Sequence, residues 1–342
     1  MDDVDLALSD EQKQLVASFG ALYARASTPE RVRAAEPVGF DAALWQGLRD
    51  TGILDMAVPE EAGGWGATVA DLALTAEQHG RALGSAPVID AQVAAAVLAG
   101  CGTAGAALLD AVLAGDQLVT FAPRPGRGGS LPLTPAGAIS DAVIALVDGA
   151  LIAAPTGGAG HVPNLASLPL ADVMVADDHV VLAIGEAAAQ QHSRAVDLWL
   201  TLTAAALSGA ARRAVEMGVD YATQRQAFGQ PIGAFQAVSH TLADCATAVD
   251  GARLLALRAA CADDEEPERA SELAAMAFAF AYEAARDATH RSLHIHGGYG
   301  FGLEGDIQLY YRRVRGWALV FGDAAAGLDR AADARYGQRQ AG

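Results

Sequence analysis

Lysine is all but missing from this sequence: Lys13 is the one lysine among 23 basic residues, set against 41 acidic ones. The formal charge of −18 excludes a sequence-independent grip on nucleic acid or on an anionic membrane, so small molecules and proteins are the expected partners. Arginine supplies nearly all the positive charge, a bias that reads as a GC-rich genome rather than as chemistry. Cysteine is equally scarce. Cys101, Cys245 and Cys261 form no CxxC pair and have no zinc-finger histidines nearby, which excludes a disulfide framework and points to a reduced, cytoplasmic setting. The first residues, Met1-Asp2-Asp3-Val4-Asp5, are acidic where a secretory signal is basic and then apolar. Long apolar runs are also lacking: the longest uncharged stretch, Ala91 to Leu109, is mostly alanine and glycine, and Gly100-Cys101-Gly102 breaks it, so buried helices are expected rather than a membrane span.

What is present is apolar bulk. Hydrophobic residues make up 52% and charged ones 19%, which excludes disorder over most of the chain, and 342 residues suffice for two or three packed units. From Ser9 to Gly115 the periodicity is helical, opened by a Ser9-to-Gln12 capping box with Leu15, Phe19 and Leu22 behind it. Gly63-Gly64-Trp65-Gly66 interrupts it, and Thr68 caps a further helix through Leu72, Leu74 and Glu77.

Between Gln117 and Ala189 the character changes to a small antiparallel β unit. Val143–Val147 and Ala150–Ala153 flank Asp148-Gly149, a strong hairpin signal. Val173–Val175 and Val180–Leu182 flank Ala176–His179 and predict a second hairpin. Beyond Val196 long helices return, with Val238, Leu242, Cys245, Val249, Ala252 and Ala256 spaced as a buried stripe. Asp263–Pro267 reads as a solvated break between helices.

Two stretches carry chemistry. In Tyr221–Gln236 a helix runs into Arg225, the chain turns at Gly229 and Pro231, and the helix resumes near Phe235, with Gln236 on it. A guanidinium fork at that place suits a pyrophosphate, and a surface carboxylate is its competing partner. In Leu293–Glu304 the glycines 297, 298, 300 and 302 leave backbone N–H groups open for close approach of a phosphate or ring edge, with a helix C-cap as the competing reading. The spacing is not that of a Rossmann GxGxxG, and His294-x-His296 lacks the acidic or cysteine ligands of a metal site.

Arg225-x-x-Phe228-Gly229 with Phe235-Gln236, and His294 to Gly298, together resemble the acyl-CoA dehydrogenase family, as do Val58–Gly66, Glu77–Arg81 and Pro87 nearer the start. The resemblance implies a mainly α fold: an N-terminal helical domain (1–116), a shortened, β-barrel-like middle domain (117–192) and a C-terminal four-helix bundle (193–342), assembled as a tetramer or dimer of dimers. It implies FAD as cofactor, with Arg225, Phe228, Gln236, His294, Gly297 and Gly298 reaching its nucleotide end across a subunit interface.

The departures from the family pattern shape the functional expectation. The family's catalytic glutamate falls at Phe321, with Asp323 two residues late; its other position for that carboxylate falls near Trp199 and Leu200, with Asp197 the nearest acid. The flavin-ring segments of the family's middle domain have no counterpart between Leu118 and Ser193. No catalytic residue is therefore assigned to this chain. The resemblance extends to short actinobacterial subunits of α2β2 enzymes acting on steroid side-chain thioesters, and implies a partner that carries the glutamate and most flavin contacts. A self-sufficient homo-oligomer using Asp323, and a helical scaffold without flavin, are the alternatives. The small apolar residues of the β unit suit either a wide cleft or a protein interface.

Overall fold

The computed structural model describes residues 6–337. Six helices come first: α1 (Asp10–Ala26), α2 (Pro29–Ala35), α3 (Ala42–Arg49), α4 (Val69–Arg81), α5 (Val88–Gly100) and α6 (Ala106–Ala114). Six strands follow: β1 (Val119–Phe121), β2 (Ser130–Thr134), β3 (Ala142–Val147), β4 (Ala150–Pro155), β5 (Ala171–Met174) and β6 (Val180–Ile184). The long α7 (Gly185–Gln224) leads to a short hairpin of β7 (Gln226–Ala227) and β8 (Gln230–Pro231). Then come α8 (Gln236–Glu265), α9 (Ala270–Ile295), α10 (Gly298–Phe301), α11 (Ile307–Leu319) and α12 (Ala324–Tyr336). The order is thus helical, β, helical, as the sequence leads one to expect.

Local chemistry sets the helix starts. The Ser9 hydroxyl accepts from the Gln12 backbone N–H while the Gln12 side chain accepts from the Ser9 N–H, a reciprocal capping box. Thr68 and Asp71 repeat the device at α4, where the Asp71 N–H donates to Thr68 Oγ1 at 3.2 Å and the Thr68 N–H to Asp71 Oδ2 at 3.1 Å.

The chain divides into two compact units. One holds Glu30–Leu72 and Ser85–Leu200; the other holds Ala73–Gly84 and the described parts of Met1–Pro29 and Thr201–Gly342. In the first, β1-β3-β4-β6 form a sheet in which β1 and β3 are parallel and the other pairs antiparallel. The β3–β4 hairpin forms at Asp148-Gly149 with Val147 opposite Ala150, and both turn residues have positive φ, +47° and +83°. The second hairpin does not form. β5 pairs with β2, and β6 with β4, because Ala171 and Val173 on alternate positions of β5 face Leu131, Val143, Ala145 and Ile152 in the core between the two sheets. Burial of that stripe outweighed the short connection.

In the second unit Leu242, Cys245, Val249, Ala252 and Ala256 are buried along α8 as the stripe requires, whereas Val238 at its head is half-buried. α7 and α4 meet on glycines: a Cβ added at Gly80 would run into the Ala206 carbonyl, and one at Gly209 into the Glu77 carbonyl. Asp263, Asp264 and Glu265 are helical rather than a loop. Glu266 is held by Arg258 at 2.9 Å and Arg269 at 2.6 Å, so this break is an ion-paired junction rather than a freely solvated one. Among the described residues no helix is long and apolar enough to cross a membrane.

Candidate functional site

All six residues that the sequence singles out lie in the second unit, at two ends of helices. α7 stops at Gln224, and the Arg225 carbonyl accepts from the Ile232 N–H at 2.8 Å, which closes the β7–β8 hairpin beneath it. The hairpin tip is Phe228-Gly229, with φ of +53° and +80°. Glycine adopts that conformation freely, whereas phenylalanine does so under strain. Phe228 is 95% exposed and meets Phe235 edge to face at 6.1 Å. Gln236 opens α8, exposed. Arg225 is also exposed, and among the described residues no carboxylate is paired with it.

The second cluster terminates α9. His294 is exposed in its last turn, whereas His296 is buried and its Nδ1–H donates to the Ser292 carbonyl at 2.7 Å. The two imidazoles therefore occupy different surroundings. Gly297 has φ +61° and ψ −145°, a region open to glycine alone, and a Cβ there would meet open space. Gly298 and Gly302 follow, while Gly300 is required small because a Cβ would press on the Leu293 carbonyl at 2.7 Å. Aromatic rings stand next to this end. Tyr311 lies 6.0 Å from Phe301 and 6.3 Å from His290, with the Arg315 guanidinium 3.6 Å over its ring.

One contact ties the two clusters to one end of the unit. Tyr221, in the last turn of α7, stacks on His296 with centroids 4.4 Å apart and planes at 25°. An unpaired guanidinium, an amide, bare glycine backbone and exposed aromatic rings are the donor set that a nucleotide diphosphate requires, so the residues fit that class of ligand. They form an open surface rather than an enclosed pocket, because every one of the six is exposed.

The positions that the resemblance reserves for a carboxylate are filled otherwise. Phe321 packs edge to face on Phe278 at 5.6 Å. Asp323 caps α12, its Oδ1 accepting from the N–H groups of Ala325 at 2.9 Å and Ala326 at 3.3 Å. Asp197 is half-buried on α7. In the first unit Trp199 and Leu200 are buried, and the Trp199 indole N–H donates to Asp90 Oδ1 at 2.9 Å. Burial pushes the Asp90 carboxyl up to about 6, opposed by the Trp199 hydrogen bond. Asp90 escaped the sequence reading, although its signal was there: it is the one charged residue between Arg81 and Asp110.

Family models agree with this architecture: residues 9–107 match the acyl-CoA dehydrogenase N-terminal domain, and residues 200–334 the acyl-CoA dehydrogenase C-terminal domain. "Acyl-CoA dehydrogenase IpdE2" of Mycolicibacterium smegmatis is 32% identical over 334 residues, spanning 94% of this chain and 98% of that protein. The chain belongs to the acyl-CoA dehydrogenase family. Among solved structures it is similar to the Tcur3481-Tcur3483 steroid ACAD G363A variant, with a TM-score of 0.84 and 26% identity over 95% of this chain and 98% of that one. The ChsE4-ChsE5 complex from Mycobacterium tuberculosis gives a TM-score of 0.83 and 26% identity over 96% of this chain and 97% of that one. For this dehydrogenase-family chain, the middle segment between the two matched domains is the part that carries the two small sheets.

Proposed function

We propose that this chain is the non-catalytic subunit of a heteromeric, FAD-dependent acyl-CoA dehydrogenase and contributes the nucleotide end of the FAD site to a partner subunit. The observation that carries the reading is Phe228, almost fully exposed at a strained φ of +53°, beside an Arg225 that pairs with no carboxylate of its own chain among the described residues. Strain of that kind persists where a partner or ligand uses it.

Arg225 would hold the pyrophosphate through its guanidinium, and Gln236 would donate beside it. Phe228 would cover the nucleotide from the hairpin tip. Gly297 and Gly298 would admit it against bare backbone, with His294 at the rim. Bound FAD supplies the hydride acceptor for α,β-desaturation of an acyl-CoA thioester. The glutamate that takes the α-proton belongs, on this reading, to the partner, since Phe321 is apolar and Asp323 is committed to a helix cap. The similarity to the Tcur3481-Tcur3483 steroid ACAD variant and to the ChsE4-ChsE5 complex supports a steroid side-chain thioester as substrate class and a second dehydrogenase-like subunit as partner.

The test is expression of the chain alone and together with such a partner, reading flavin absorbance per chain and assembled mass. About one FAD per pair of chains, present only in the mixed complex, is expected. A fully flavinylated, active homomer would overturn the reading.

A further inference from the structure

From Gly128 to Ser193 the chain carries six acidic residues, Asp141, Asp148, Asp172, Asp177, Asp178 and Glu186, and neither arginine nor lysine. All six are exposed. The same segment exposes large apolar side chains, three of them on one strand: Val180 is 51%, Val181 48% and Ile184 71% exposed on β6. Leu182 between them is the residue that the pairing with β4 skips, and it is buried. β6 is also the end of its sheet. Among the described residues no strand or isolated bridge joins its other edge, and Val180–Ile184 make no backbone hydrogen bond beyond the ladder with β4. An open edge is a template for another strand, and folded proteins commonly guard one with charged side chains or proline. Val180–Ile184 contains neither, and its bulge interrupts the edge at Leu182 alone.

The charges decide the occupant. Asp177 and Asp178 stand at the Val180 end of the strand. At the other end Glu186 follows Ile184 by two residues, and the Gly185 N–H donates to the Gly149 carbonyl at 2.9 Å, which brings the Asp148-Gly149 turn beside it. Among the described residues no cation pairs with Asp148, Asp177, Asp178 or Glu186. A second copy laid along β6 in either direction would set acid against acid at both ends, and no arginine or lysine of the segment relieves that repulsion. The complementary occupant is extended, apolar along its middle, and carries arginine or lysine at both ends.

We propose that β6 is a docking strand for such a basic-flanked segment of the partner subunit, which adds to the sheet edge through backbone hydrogen bonds on either side of Leu182 and covers Val180, Val181 and Ile184. The proposal rests on the reading of this chain as one subunit of a heteromeric dehydrogenase. It assigns a contact surface to the first compact unit, whereas Arg225 and Gly297 belong to the second.

Hydrogen exchange of the full chain, alone and in the complex co-expressed with its partner subunit, tests this, with light scattering at matched concentrations giving the assembled mass. Exchange across Val180–Ile184 is expected to slow about tenfold or more in the mixed complex only, because an added strand ties up N–H groups that face water in the free chain. Val181→Asp combined with Ile184→Asp, both at exposed positions, should raise the concentration for half-assembly about tenfold or more. Asp177→Arg combined with Asp178→Arg should weaken assembly roughly three- to tenfold at low salt and less at about 1 M sodium chloride, where the charges are screened. A mixed complex in which the segment exchanges as it does in the free chain, or in which either double variant assembles like the unmodified chain, overturns this proposal and leaves the subunit reading intact. Protection of β6 in dimers of the free chain makes the occupant a second copy and also overturns it. Failure of any mixed complex to form would instead overturn both.

Discussion

Tyr221 lies flat on His296, centroids 4.4 Å apart, and this one stack joins the end of α7 to the end of α9. Arg225 follows four residues after Tyr221, and Gly297 directly follows His296, so the stack sets the spacing between a cation and a patch of bare backbone. Tyr221→Ala should leave the fold in place yet weaken FAD retention by the mixed complex, because the donors would lose their fixed separation. Tyr221→Phe keeps the ring and should behave as the unmodified chain. The flavin absorbance of the purified complexes distinguishes the two.

Arg225→Ala is the sharper probe of the same surface. Loss of a charge-assisted, bidentate phosphate contact costs about 1.5–3 kcal/mol, so FAD should dissociate roughly ten- to a hundredfold more readily. Arg225→Lys should fall between, since an ammonium keeps the charge without the fork. Unchanged flavin content on dialysis would show that the arginine faces only solvent.

Gly80 and Gly209 should reject alanine. In an ordinary exposed helix a Gly→Ala change stabilises by about 1 kcal/mol. Here each new methyl would enter a backbone carbonyl of the facing helix, Ala206 for one and Glu77 for the other, and backbone cannot move aside as a side chain can. A loss of about 2 kcal/mol or more is expected for either variant. Urea midpoints with an unchanged slope would report it.

His79, which is buried, and Asp90, which is half-buried, give opposite pH dependences of stability. Burial and the charge of Arg313 lower His79 to about 3, where Tyr23 shares a hydrogen bond with its Nδ1 at 3.0 Å and Trp317 stacks on its ring at 5.7 Å. Its folded pKa is depressed below the unfolded value near 6.5, so its contribution is complete above that value and is lost as pH falls toward 3. Asp90 is raised instead, from 3.8 to about 6; its contribution is complete below 3.8 and is lost as pH rises through 6. His79→Gln should therefore flatten the acid side of the stability curve. Asp90→Asn should raise stability above pH 6 relative to the unmodified chain and leave it little changed near pH 4. Denaturant midpoints across pH 4 to 8 test both signs.

The sequence was most informative where local chemistry decides the structure. Ser9 with Gln12, and Thr68 before α4, were legible as caps because the partners are three residues apart, and Asp148-Gly149 was legible as a turn because few dipeptides accept two positive φ values. β5 and β6 were misassigned to each other for a related reason. Their alternation was visible, but which sheet each joins depends on Leu131 and Val143, residues distant along the chain. The site divided in the same way. Arg225, Phe228 and the glycines at 297 and 298 stood out by local pattern, whereas the Tyr221–His296 stack and the Asp90–Trp199 bond join residues 75 and 109 positions apart and required the fold.

Asp323 allows the partner-dependent reading to be set against a self-sufficient enzyme. Its Oδ1 accepts from two backbone N–H groups at the start of α12, which directs the carboxylate along the helix axis as a cap. A residue in that role contributes about 1 kcal/mol of stability, most of which asparagine retains because it caps nearly as well. Asp323→Asn should therefore leave both the stability of the chain and the rate of flavin reduction by an acyl-CoA in the mixed complex within about twofold of the unmodified protein. A base replaced by an amide would lose the ability to accept the α-proton, and reduction would fall by orders of magnitude. Stopped-flow flavin bleaching separates the outcomes: a large loss in Asp323→Asn would place the base on this chain, and an unchanged rate directs the search to a carboxylate on the partner.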